Sequence, residues 1–209
     1  MSALTRTCLA WAADTGRQHE LRALRTELML RRESANRADV VAVVSAASGE
    51  GRSTLAAELA VAFAEAGQPT LLVDADLRKP TQHDLFSLPN GHGLVQLLQD
   101  GALPVVHAPL DLVDLSVVTA GAIPARPLDL LSHPAFVDEV DAWRDEYQFV
   151  VLDTPALAHW PDAAVVANAA GRVLLATRAG HTGYRELRAA LRRLAPTHSR
   201  VMGAVINHF

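Results

Sequence analysis

The segment that most constrains the fold of this chain is residues 45–54, which read SAASGEGRST. A short β-branched apolar run, residues 40–44, precedes the segment and predicts a buried strand. Residues 55–66 follow with apolar side chains on one helical face, and Gly67 is a natural end for that helix. The order of strand, glycine-containing loop and helix is the context of a phosphate-binding loop.

The residues of this loop have the chemistry that phosphate binding needs. Gly49 and Gly51 let the backbone approach phosphate oxygens, and the unpaired amides at the start of the helix attract an anion. A hydroxyl at the position of Ser53 can reach Mg²⁺. We therefore predict a nucleotide site made by Gly49, Glu50, Gly51, Arg52, Ser53 and Thr54.

The loop departs twice from the usual pattern G-x-x-x-x-G-K-S/T. Ala46 stands at the first glycine, and Arg52 stands at the lysine. Arginine keeps the positive charge, but its planar fork is bulkier than a compact ammonium group. The alternative reading is that Gly49 and Gly51 only shape a turn between a strand and a helix.

Composition bounds the class of protein. The 209 residues are enough for one α/β domain, so we predict a single nucleotide-binding domain over 1–209. A net charge of −4 provides no overall basic field for nucleic acid. The only cysteine, Cys8, excludes a disulfide framework or a cysteine-ligated cluster within one chain. The nine histidines are scattered and show no metal-ligand spacing.

The apolar runs are too short for membrane insertion. None approaches the roughly 18 residues of a membrane span, and residues 1–16 lack the apolar core of a signal peptide. Together with the single cysteine, this predicts a cytoplasmic protein whose membrane contact is peripheral or runs through a partner.

The first predicted helix is amphipathic and covers residues 18–32. Its apolar stripe contains Leu21, Leu24 and Leu28, which would pack on the domain or on a neighbour. The arginines outside the stripe are predicted to be solvated; they are Arg22, Arg25, Arg31 and Arg32.

Carboxylates follow two of the predicted strands. Asp74 and Asp76 come directly after the apolar run 70–73, and Asp153 comes after the run 149–152. Aspartates at the ends of strands beside a phosphate loop can hold Mg²⁺ through water and orient a nucleophile. The remaining strands are predicted at 115–119, 172–177 and 201–207, and the remaining helices at 93–98, 134–146, 163–170 and 184–194. This alternation predicts an α/β fold with a doubly wound, mostly parallel sheet.

With these motifs the chain resembles the bacterial tyrosine kinases, cytoplasmic P-loop kinases of capsule and exopolysaccharide synthesis. The resemblance runs from about residue 20 to residue 207 and implies a P-loop NTPase fold like that of ParA and MinD. The motifs that carry it are RALRT at 22–26, SGEGRST at 48–54, LVDADLRKP at 72–80, TAG at 119–121 with Pro124, Pro127 and Leu131, and DTP at 153–155.

The resemblance implies roles for individual residues and for partners. Ser53, Asp74 and Asp153 would hold Mg²⁺, while Asp74, Asp76 and Arg52 would serve phosphoryl transfer from ATP. Asn207 would approach the adenine. In the family, a transmembrane polysaccharide chain-length regulator activates the kinase, and the subunits often assemble into rings.

Three features of this chain differ from the family pattern. Arg52 replaces the phosphate-binding lysine, and His19 stands at the glutamate of the ring motif E-x-x-R-x-x-R. The expected tyrosine-rich tail is also absent, since the tyrosines are Tyr147 and Tyr184.

Three functions stay open from the sequence. The first is an active kinase or ATPase that acts on another protein, which the aspartates Asp74, Asp76 and Asp153 favour. The second is a catalytically weak, nucleotide-binding regulator, which Arg52 favours because a misfitting arginine should harm turnover more than binding. The third is a ParA/MinD-like partition ATPase, although Ala47 stands where those proteins carry an early lysine.

Overall fold

The computed structural model describes residues 15–32, 37–102, 106–107 and 112–208. Residues 1–14 lie outside these ranges, and with them Cys8 and most of the segment predicted to lack a signal-peptide core. Within them, no helix is both long enough and apolar enough to cross a membrane.

The centre of the fold is one sheet in the order β3-β4-β2-β5-β1-β6-β7. Six strands run parallel, and the two-residue β3 pairs antiparallel with β4 at one edge. The predicted mostly parallel α/β sheet is therefore confirmed. The strands are β1 (Asp39–Ser45), β2 (Thr70–Asp74), β3 (Val106–His107), β4 (Leu115–Val118), β5 (Phe149–Asp153), β6 (Arg172–Arg178) and β7 (Arg200–Asn207).

Helices cover both faces of the sheet. They are α1 (Thr15–Leu30), α2 (Arg52–Ala64), α3 (Gln82–Phe86), α4 (Leu94–Asp100), α5 (Pro127–Leu131), α6 (Pro134–Glu146), α7 (Asp162–Ala170) and α8 (Tyr184–Leu194). Apolar residues of the first three pack on one face, and those of the other five pack on the opposite face. The sequence did not predict α3, α5 or β3, which are too short for a periodic pattern to appear.

The strands beside the phosphate loop are buried on both sides. Along β1 the side chains alternate between the two cores, with Val40 in one and Val41 in the other. Helix α2 is apolar nearly all round because it lies between the sheet and α1. Phe63 of α2 stacks on Phe149 of β5 with ring centroids 3.8 Å apart, which fixes the helix over the centre of the sheet.

Helix α1 is joined to α2 by charge as well as by its apolar stripe. Arg17 donates from Nε and Nη2 to Glu58, a buried carboxylate, at distances of 2.6–2.9 Å. Two arginines that were predicted to be solvated donate to backbone carbonyls: Arg25 to Ala62 at 2.9 Å and Arg31 to Met202 at 3.0 Å. The prediction was wrong for Arg25, which is half-buried because its long stem reaches past the helix, whereas Arg31 is exposed as predicted.

The loop after β4 makes a close approach that leaves no space for a side chain at Gly93. A Cβ built on Gly93 would lie 2.1 Å from the Thr119 oxygen and 2.6 Å from the Gly121 nitrogen. Hydrogen bonds hold the same contact, since the amides of Leu94 and Val95 each donate at 2.9 Å to the carbonyls of Thr119 and Ala120.

We expect Gly93→Ala to lower the free energy of unfolding by about 1–3 kcal/mol, because backbone has to shift to admit the methyl group. Gly91→Ala is the matched control, since a Cβ there would meet no atom within 4 Å. Urea unfolding of both variants measures the difference. Equal stabilities would show that the contact at Gly93 is not tight.

Candidate functional site

The phosphate loop has the backbone geometry that the sequence predicts. Gly49 and Gly51 adopt φ values of 79° and 78°, which L side chains rarely adopt. The first hydrogen bond of the α2 ladder runs from the Leu55 amide to the Gly51 carbonyl at 2.9 Å. The amides of residues 52–54 precede this bond, so they are outside the helical ladder and available to an anion.

Glu50 holds the loop in shape. Its carboxylate accepts hydrogen bonds from the Ala47 amide at 2.8 Å and from the Thr182 hydroxyl, and its backbone carbonyl accepts from Asn207 Nδ2 at 2.8 Å. Glu50 and Asn207 are both buried. The resemblance implied an adenine contact for Asn207, whereas in this structure its amide braces the loop. The sequence suggested Thr182 only as a cap for the helix 184–194, where Gly183 is the N-cap, and its contact with the distant Glu50 was not predicted.

Arg52 is folded against two aspartates. Its Nη2 donates to Asp76 Oδ2 at 3.0 Å, its Nε lies 3.4 Å from Asp153 Oδ1, and its Nη1 donates to Ser45 Oγ at 2.8 Å. Only 10% of the side chain is exposed. The guanidinium that stands at the position of the phosphate-binding lysine therefore neutralises the carboxylates of the site.

Two of the three predicted carboxylates meet because of strand register. Asp74 of β2 lies opposite Asp153 of β5 in the parallel ladder, and neither is exposed. Burial raises the pKa of Asp74 well above its usual value, and the neighbouring charge of Asp153 raises it further. Burial also raises the pKa of Asp153, although Arg52 opposes this effect.

The contacts of Asp74 are those of a positioning residue. Its Oδ1 accepts from the Asp76 amide at 3.2 Å, and its Oδ2 accepts from the amides of Thr81 and Gln82, both at 2.9 Å. These bonds fix the turn after β2 and begin α3. Asp76 in turn accepts from the amides of Arg78 and Lys79 at 3.2 and 3.0 Å, which leaves its Oδ2 for Arg52.

Gln82 joins the two halves of the site and was missed in the sequence. Its Nε2 donates to Asp153 Oδ2 at 2.7 Å and to the Ser53 carbonyl at 3.0 Å, and the residue is fully buried. One amide group thus links α3, the phosphate loop and the end of β5. No pattern of residue types marks this glutamine, because its partners come from distant parts of the chain.

The residues present fit a hard cation such as Mg²⁺. Asp153 Oδ1, Gln82 Oε1 and Thr81 Oγ1 are buried and make no hydrogen bond to the described part of the chain. Ser53 lies beside Asp153, and its hydroxyl lowers the pKa of that carboxyl group against the effect of burial. Oxygen donors suit Mg²⁺, which usually keeps several waters and bridges to substrate phosphates. No three His, Cys, Asp or Glu residues of the described ranges form a metal-binding group alone.

Two cavities adjoin at the loop. The smaller, of about 250 Å³, is lined by residues 49–54 with Thr81 and Leu85. The larger, of about 600 Å³, extends past Asp76 to Trp160. They share Gly49, Arg52, Ser53 and Thr81.

Comparison with known proteins also indicates a nucleotide-binding domain. A family model described as the CobQ/CobB/MinD/ParA nucleotide binding domain matches residues 41–209. The tyrosine-protein kinase YwqD of Bacillus subtilis is 38% identical over 168 residues, which are 80% of this chain and 71% of that protein. The chain belongs to the bacterial tyrosine kinases.

Solved structures of tyrosine kinases have the same fold. The chimerical protein CapA2B2 is 32% identical, with a TM-score of 0.88 over 99% of this chain and 90% of that one. The kinase domain of the Escherichia coli tyrosine kinase ETK is 29% identical, with a TM-score of 0.84 over 90% of this chain and 74% of that one. This member of the family therefore carries a nucleotide-binding domain.

We expect Asp153→Asn to change stability in a pH-dependent way. A carboxyl group whose folded pKa is raised stabilises the fold below its unfolded pKa, and that contribution is lost as the pH rises through the folded value. Relative to the unaltered protein, ligand-free Asp153→Asn should therefore become more stable as the pH rises from about 4 to about 7. Thermal unfolding across this range measures the effect, with the exposed Asp129→Asn as control. A difference that shrinks toward neutral pH would contradict the expectation.

Gln82→Leu should lower the free energy of unfolding by about 2–3 kcal/mol, since it leaves a buried carbonyl and a buried carboxylate oxygen without their donor. Gln99→Leu changes an exposed glutamine of α4 in the same way and should have little effect. Denaturant titrations of both compare them. Similar losses in the two variants would argue against a bridging role for Gln82.

Proposed function

We propose that this chain binds Mg-ATP at the phosphate loop and acts as a tyrosine kinase of capsule or exopolysaccharide biosynthesis. The observation that carries the proposal is the meeting of the loop with Asp76 and Asp153, at the shared carboxyl edge of β1, β2 and β5. Ligands bind at this edge in doubly wound sheets. We treat residues 1–209 as one nucleotide-binding domain.

In this proposal each group has one task. The amides of residues 49–54 would bind phosphate oxygens, and Ser53 and Asp153 would hold Mg²⁺, Asp153 through water. The bound metal would offset the charge of the phosphates. Asp74 positions the turn that carries Asp76, because both of its oxygens bond to backbone amides.

The ion pairs of Arg52 would oppose its binding to a phosphate. To contact a phosphate, its guanidinium has to leave Asp76 and Asp153, so nucleotide phosphates compete with two carboxylates for one cation. Separating a nearly buried ion pair is costly unless a new partner replaces the old one. This contact is also the observation that favours the second candidate function, a regulator that binds nucleotide and turns it over weakly.

The acceptor tyrosine is proposed to lie on another protein. Tyr147 follows the end of α6 and packs against the core, whereas Tyr184 is 75% exposed at the start of α8. Neither belongs to a tyrosine cluster of the kind that the family phosphorylates on itself. A transmembrane chain-length regulator is the proposed activator, as the family resemblance implies, and would hold the chain at the cytoplasmic face of the membrane.

We expect Arg52→Lys to raise ATP turnover by roughly tenfold, which corresponds to about 1.4 kcal/mol of barrier. A compact ammonium group gives up the carboxylates more readily and fits the loop. Mg-ATP binding by calorimetry and phosphate release by the purified proteins test this. Arg126→Lys is the control, since its side chain is 84% exposed.

Three outcomes separate the functions. Binding and turnover by the unaltered chain would support an enzyme with an external substrate. Binding without turnover that lysine restores would support the nucleotide-dependent regulator. If neither protein binds ATP, the proposed nucleotide site is wrong.

A further inference from the structure

A half-exposed indole forms one wall of the larger cavity beside the phosphate loop. Trp160 is 43% exposed, and the guanidinium carbon of Arg78 lies 3.7 Å from the centroid of its ring. Arg78 is itself fixed, because its Nε and Nη2 donate to the two oxygens of buried Asp162 at 2.9 and 3.2 Å. This two-pronged pairing holds the cation against one face of the indole. The contact with Arg78 therefore holds the Trp160 side chain in place at the surface.

The cavity of Trp160 leads to the phosphate end of the nucleotide site. It shares Gly49, Arg52, Ser53 and Thr81 with the cavity over the loop, and Asp76 also lines it. It lies on the β2 and β5 side of β1, whereas Asn207 lies on the β6 and β7 side. A group that enters past Trp160 can thus approach the phosphates from the side opposite to Asn207.

The charge at the mouth of the cavity is positive. Lys79 is the only lysine in the chain, and its exposed side chain lies in the cavity lining with Arg78. The carboxylate of Asp162 pairs with Arg78. Lys79 donates to Asp76 through its backbone amide, so its ammonium group takes no part in that hydrogen bond. The entrance therefore combines an aromatic face with an exposed cation.

We infer that Trp160 and Lys79 form the binding site for the acceptor, a tyrosyl side chain within an acidic segment of a partner protein. The phenol ring stacks against the indole, since offset aromatic pairs are favourable. Neighbouring carboxylates of the segment pair with Lys79. This inference rests on the proposed kinase function, to which it adds the place and the chemical class of the acceptor.

The transfer that follows balances as a single displacement. The tyrosyl oxygen forms a bond to the γ-phosphorus of ATP, while the bond from that phosphorus to the bridging oxygen of the β-phosphate breaks and ADP leaves with the electron pair. The phenol proton passes to Asp76 Oδ2. That oxygen becomes available when Arg52, its donor in this structure, moves to the phosphates.

The test uses a random copolymer of glutamate and tyrosine as the acceptor probe. Trp160→Ala should raise the KM for the copolymer by roughly 3- to 10-fold, the range expected for loss of one aromatic contact. Trp160→Phe should recover most of this loss. Lys79→Ala should raise the KM by a few-fold, with a smaller effect at high salt. Ile123→Ala is the control, because Ile123 is 65% exposed and outside the cavity lining.

Two further readouts separate this inference from the proposed kinase function. If the chain transfers no phosphate, fluorescence anisotropy of labelled copolymer with Mg-ADP measures the acceptor site directly, and weaker binding by Trp160→Ala still supports it. Copolymer affinity and KM that stay unchanged in both the Trp160 and Lys79 variants would overturn the inference. A loss of ADP affinity in Trp160→Ala, with copolymer binding intact, would also overturn it, because the indole would then carry the base.

Discussion

The site depends on the neutralisation of buried carboxylates by one arginine. Three carboxylates, Asp74, Asp76 and Asp153, are brought together by the ends of two neighbouring strands, and Arg52 is the cation that the described residues place among them. Burying such charges is costly unless each finds a partner. The backbone amides around Asp74 and the amide of Gln82 supply the rest of that compensation. The turn after β2 and the start of α3 both depend on these contacts.

In the proposed function, this charge balance is also what would let a loop with an arginine bind a nucleotide. In the ligand-free state, Arg52 neutralises the carboxylates that a metal ion would otherwise neutralise. A nucleotide bound with Mg²⁺ would provide both a new anion for Arg52 and a new cation for Asp153. Exchange of partners then costs less than separation of the ions, because neither charge is left buried alone. In this proposal, nucleotide binding is therefore coupled to the position of Arg52. The coupling does not depend on the rate of phosphoryl transfer.

Much of the fold could be predicted because its signals are local. The helices Pro134–Glu146 and Tyr184–Leu194 have the predicted bounds, and the meeting of Asp74 with Asp153 follows from aspartates at the ends of parallel strands. The missed features are non-local. Gln82 and Thr182 act on partners far away in the chain, and α3 is started by a carboxylate of β2. Such contacts leave no periodic pattern in the sequence.

The most direct test of this account is a crystal structure of the unaltered chain with Mg²⁺ and a non-hydrolysable ATP analogue. The account predicts phosphates on the amides of the loop, Mg²⁺ beside Ser53, and the Arg52 guanidinium moved from Asp76 and Asp153 to a phosphate oxygen. A bound nucleotide with Arg52 still paired to both aspartates would contradict the proposed exchange. A nucleotide bound elsewhere on the chain would contradict the site itself.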